Sequence, residues 1–169
     1  MSINQSLLSE LEHEFATTRI VIGRVPADKY GWQPHAKSMT AGRLASHIAE
    51  MTTWITATVH QDTLDLAPPD GPKWEPFTAK STEELLAYYD KHVAEAKAAL
   101  AGCDDAAMMG AWSLLMGGKV LMTMPRVACL RTFCMNHVYH HRGQLSVYLR
   151  LLDISVPSIY GPSADEGSM

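Results

Sequence analysis

Neither a basic stripe nor a long apolar run occurs in the 169 residues, and each absence removes a class of function. Lys and Arg number 14 against 18 Asp and Glu, for a net charge of -4 at pH 7. Nucleic-acid binders need clustered cations to release phosphate counterions, so no nucleic-acid partner is expected. No stretch reaches the ~18 to 20 apolar residues that cross a bilayer. The opening MSINQSLLSELEHEF carries acids where a secretory signal needs a basic end and an apolar run. No membrane partner and a cytoplasmic setting are therefore expected. Cysteine is scarce: Cys103, Cys129 and Cys134 form an odd set without CxxC spacing, which argues for reduced thiols in a reducing compartment. Neither βαβ alternation nor an internal repeat is present, which leaves doubly wound and solenoid folds without support.

What the chain does have is helical periodicity. Its composition, 47% hydrophobic and 19% charged, suits a folded protein, and the length suits one domain over residues 1–169. Over residues 3–24, Leu7, Leu11, Phe15 and Ile22 share one stripe with Thr18 until Pro26 ends the pattern. The loop PADKYGWQPHAKSMT follows, in which Ser38 or Thr40 can cap a second helix over residues 40–60. There Leu44, His47, Met51, Trp54, Ile55 and Thr58 fall on one face. Residues 65–80 hold four prolines and read as a long surface connection, the kind that crosses a bundle or lids a site. Ser81 and Glu84 have capping-box spacing at the start of a third helix, which runs to about Ala101 before Gly102. In residues 111–124 two apolar runs flank Gly117-Gly118, which suits a hairpin or an irregular strand-like excursion, with a broken helix as the alternative. Pro125 suits the first turn of a last helix continuing to Leu152. The fold class expected is all-α: an up-and-down four-helix bundle with a short irregular or hairpin-like excursion before the last helix.

That last helix contains NHVYHHRGQL, residues 136–145. At about 100° per residue, His141 lies about 40° from His137 and one turn on, on an arc shared with Leu130, Phe133, Cys134, Gln144, Tyr148 and Leu152. Thr132, Met135, Tyr139, Arg142, Ser146 and Arg150 fall on the opposite arc, read as the solvent side. Imidazoles in an apolar stripe cost free energy unless their nitrogens are satisfied, and a pair at i and i+4 can grip one divalent ion. An isolated HxxxH is more often a pair of satisfied core histidines. A third inward histidine, His47 on the second helix, strengthens the metal reading, and three ligands leave open positions for water or substrate. On geometry alone His140 could replace a ligand or support one.

The string HVYHHRGQL resembles the C-terminal helix signature HxxxHRGQ of the DinB and YfiT-like family, which shares a label but no fold with a DNA polymerase. SHIAEM (residues 46–51), the longer GWQPHAKSMTAGRLASHIAEM and the closing VPSIYGPSADE also resemble that family. The resemblance implies a homodimeric four-helix bundle holding one divalent metal, zinc or nickel, on His47, His137 and His141. It makes His140 the non-ligand, because the family's ligand directly precedes the RGQ-like triplet. It further implies a metal-dependent enzyme on a small molecule, thiol S-transfer being favoured over hydrolysis and a low-molecular-weight thiol being a candidate substrate. The alternatives are a non-catalytic metal-binding stress, detoxification or sensing protein, and a scaffold whose metal only joins two helices.

The remaining polar candidates receive ordinary readings. Glu50, one turn after His47, reads as a solvated acid on the helix flank, although it could orient a ligand. Cys134 reads as a small buried hydrophobe rather than a fourth ligand. Trp54, Trp74, Trp112 and the methionines read as core filling, and Arg142 as a salt-bridge or capping residue. Asn136 and Gln144 are left without a role.

Overall fold

A computed structural model describes residues 2–167. Helix α1 (Ile3–Gly23) ends just before Pro26, and a 3-10 turn (Ala27–Lys29) leads into the loop before α2 (Ala41–His60). Thr40 rather than Ser38 caps α2, its hydroxyl accepting from the Arg43 N–H at 3.2 Å. Helix α3 (Thr82–Ala101) opens on Ser81, which accepts from the Glu84 N–H at 3.2 Å. Glu84 reaches back one residue further than a capping box requires and accepts from the Lys80 N–H at 2.7 Å. A short α4 (Asp105–Met109), capped by Asp104, was not signalled by periodicity, because five residues cannot display it.

The all-α expectation is corrected here. Strand β1 (Thr63–Asp65) pairs parallel with β2 (Ala111–Met116), which pairs antiparallel with β3 (Lys119–Pro125), giving a mixed three-stranded sheet. The β2–β3 hairpin turns on Gly117 and Gly118, both at positive φ (60° and 77°), as a two-residue primed turn demands. Asp65 fastens this turn to β1: its carboxylate accepts from the Gly117 N–H at 3.0 Å and the Gly118 N–H at 2.7 Å. A three-residue strand beside a proline-rich segment carries no period of its own. Its pairing is decided by a partner some fifty residues away.

After Pro125 the chain is helical to Leu151, but not uniformly. A turn of α-helix, α5 (Arg126–Cys129), passes into a π-helical stretch (Leu130–Met135) and then α6 (Asn136–Leu151). Helix α6 packs against α2 on one side and α1 on the other. The core joins Leu7, Leu11 and Ile22 of α1 to Leu44, Ile48, Met51 and Ile55 of α2, Leu85 and Leu100 of α3, and Leu145 and Leu149 of α6. All three cysteines are free and buried, in keeping with the small-hydrophobe reading of Cys134. No helix among the described residues is long and apolar enough to cross a membrane.

Candidate metal centre

Helices α2 and α6 pack so that His47 meets the pair one turn apart on α6. Donor nitrogens of His47, His137 and His141 all lie within 4.8 Å of one another. The ring centroids are 5.0 Å apart for His47 and His137, and 4.7 Å for His47 with His141 and for His137 with His141. The i, i+4 spacing and the single inward histidine of α2 therefore produce one cluster, as the residue pattern predicts. His140 is exposed and outside it; its Nε2 accepts instead from the Gln144 side-chain amide at 3.1 Å.

The hydrogen bonds around His47 and His141 fix which nitrogen of each faces the centre. The carboxylate of Glu50 can only accept, so His47 donates through Nδ1 to Oε2 at 3.2 Å. His141 donates through Nδ1 to Gln144 Oε1 at 2.7 Å. In His47 and His141 the Nε2 lone pair is left for the interior. His47 Nε2 and His137 Nε2 stand 3.1 Å apart. Zn–N bonds of about 2.0 to 2.1 Å at tetrahedral angles place donors about 3.3 Å apart, so this separation suits a shared cation. Without an ion, an N–H of His137 donating to the His47 lone pair satisfies the same distance. The donor set and its orientation fit a divalent metal.

Burial disfavours the charged form of the two rings on α6. It pulls His137 below the usual imidazole range, with His47 adding to the effect. It lowers His141 to about 4, against the raising effect of its bond to Gln144. A ligand imidazole must be unprotonated, so the environment prepares both for metal at neutral pH.

Two readings of individual side chains need correction. Glu50 is not a solvated flank acid: it is 2% exposed, accepting from His47, from Arg43 Nη2 at 2.8 Å and from the Phe77 N–H. Its partners Arg43 and His47 lie seven and three residues before it, so an acid, a base and a histidine on one helix face were the legible signal. The solvent arc of the last helix is also wrong in part. Arg142 is 1% exposed and Met135 is buried. Arg142 forms the ion pair expected of it, but an interior one, with Glu14 Oε2 at 2.7 Å, and it also donates to Thr18 Oγ1 at 3.0 Å and Tyr160 Oη at 2.6 Å. A single-stripe wheel fails because α6 has neighbours on two sides and the π-helical turn shifts the phase. Gln144, given no role from sequence, orients His141.

On the far side of His137 stand Phe133 (centroids 5.9 Å apart) and Trp54, itself 5.0 Å from Phe133. Beside His141 lies a groove of about 270 Å³ lined by Lys37, Ser38, Met39, Leu44, Gln144 and Tyr148. The cluster is thus closed by aromatics on one flank and reached through a more polar groove on the other.

The fold is similar to that of a DinB-like protein from Bacillus cereus ATCC 10987, with a TM-score of 0.70 and 21% identity, covering 92% of this chain and 97% of that one. It is equally similar to the DinB-like protein YjoA from Bacillus subtilis, with a TM-score of 0.70 and 19% identity, covering 91% and 97%. At these identities the likeness speaks for the fold alone. The uncharacterized protein YrdA of Bacillus subtilis strain 168 is 46% identical over 37 residues, a match spanning 22% of this chain and 22% of that protein's length. The DinB family model matches residues 1–168, and the chain belongs to the DinB family.

Proposed function

We propose that the protein is a divalent-metal-dependent enzyme acting on a small molecule, with transfer of a low-molecular-weight thiol favoured over hydrolysis. The observation that carries this reading is the convergence of three imidazoles, with the outer nitrogens of His47 and His141 already engaged by Glu50 and Gln144. His47, His137 and His141 would hold the ion, zinc or nickel. A metal on three protein ligands keeps open positions and lowers the pKa of a bound thiol or water, giving an anionic nucleophile at neutral pH. The chain's own residues do the rest. Glu50 and Gln144 hold the tautomers of His47 and His141, Trp54 and Phe133 keep water from the flank of His137, and the groove past Lys37, Ser38 and Tyr148 admits the substrate. The resemblance noted in the sequence supports a homodimer, and the free cysteines support a cytoplasmic setting.

The test is turnover by zinc-loaded and nickel-loaded protein, offered a panel of low-molecular-weight thiols with an electrophile and, separately, ester and amide substrates. Thiol consumption that disappears in His141→Ala supports S-transfer. Cleavage without thiol consumption assigns hydrolysis instead. Metal bound with no turnover in either panel would overturn the enzyme reading in favour of a binding or sensing protein.

A further inference from the structure

Residues 66–80 do not wander over the surface as a proline-rich connection could. Trp74 faces Trp54 with centroids 6.4 Å apart, the Phe77 N–H donates to Glu50, and the Ala79 N–H donates to Ser46 Oγ at 3.0 Å. The partners on α2 thus step back from 54 to 50 to 46 as the segment advances. From Phe77 to Ala79 the extended chain advances about 6.6 Å, matching the roughly 6 Å rise of four helical residues, and the segment lies antiparallel along α2. Arg43 seals it by donating through Nη1 to the Phe77 carbonyl at 3.2 Å, and the Phe77 ring stacks on Tyr88 at 3.8 Å.

Glu50 joins this strap to the histidine cluster. One carboxylate oxygen takes the Phe77 N–H, while the other takes His47 Nδ1 and Arg43 Nη2. A buried carboxylate is retained at a cost unless such donors satisfy it, and here they come from the strap, the ligand and the cation between them. We propose that Glu50 is a positioning residue that couples the strap of residues 66–80 to the ligand His47, so that metal occupancy and seating of the strap stabilise one another. The inference rests on the metal reading above. Fixing the second nitrogen of a ligating imidazole sets its orientation and basicity. Coupling between two binding events is reciprocal, so whatever the seated strap contributes to metal affinity, the metal returns to the strap.

Cobalt(II) titration followed by its visible ligand-field bands, together with hydrogen exchange of the strap amides with and without zinc, tests this in the full chain. In the wild type zinc should slow exchange at Phe77 and Ala79. Glu50→Gln should weaken cobalt binding about 10- to 100-fold, shift the bands of whatever complex forms, and abolish the zinc effect on the strap. Phe77→Ala leaves Glu50 intact and removes the stacking on Tyr88; it should weaken cobalt about fivefold or more, and it decides the matter if Glu50→Gln fails to fold. A wild type that takes up no metal would sink the metal reading itself. A wild type that binds cobalt, with either variant matching it in affinity and spectrum, or strap exchange indifferent to zinc, would sink the coupling and leave the metal reading intact.

Discussion

Arg142→Ala is a change that the helical wheel and the structure judge differently. On a solvent face it would cost within about 0.5 kcal/mol. In the structure the guanidinium is 1% exposed and held by Glu14, Thr18 and Tyr160, with Tyr160 Oη also donating to Glu14 Oε2 at 3.0 Å. Removing one partner of a buried ion pair leaves the other charge unpaired, a loss of about 3 to 5 kcal/mol. For a domain of this size each kcal/mol moves the Tm by about 2 to 4 °C, so Arg142→Ala should lower it by about 6 to 20 °C. The assay is thermal unfolding followed by circular dichroism. The paired variant Arg142→Met with Glu14→Leu removes both charges and should recover most of that loss, because the penalty comes from the orphaned charge more than from the missing attraction. A Tm within about 2 °C of wild type for Arg142→Ala, or a double variant as unstable as the sum of its parts, would refute the reasoning.

Three further outcomes follow from the same geometry. His47→Ala, His137→Ala and His141→Ala should each sharply reduce zinc uptake on titration, while His140→Ala, an exposed residue outside the cluster, should do so far less; equal losses would overturn the ligand choice. Metal-free protein should lose stability as the pH falls from about 6.5 toward about 4, since His137 and His141 titrate below their unfolded value and the unfolded state binds more protons in that window. Denaturant midpoints measured across that range should fall on acidification, and His141→Gln, which cannot charge, should flatten the slope. Sedimentation at micromolar concentration should give a dimer, and a monomer would count against that assembly.

The three histidines were legible because their spacing puts them among the apolar residues that face between α2 and α6. The same rule placed Leu44, Met51 and Ile55 in the core. The spacing of Arg43, His47 and Glu50 hinted at a pairing, but the burial of Glu50 and of Arg142 depends on what arrives from elsewhere: Phe77 from the strap in one case, Glu14 and Tyr160 in the other. Strand β1 escaped for a related reason, since three residues acquire their state only by pairing with Ser113, Leu114 and Leu115. The π-helical turn leaves no mark in composition, and it displaces the phase of everything read across it.

The central claim is that His47, His137 and His141 form a metal site, and elemental analysis of untagged protein purified without chelator or added metal tests it most directly. The wild type should carry near one divalent ion per chain and His141→Ala little. A wild type that carries none and takes up neither zinc nor nickel on titration would contradict it.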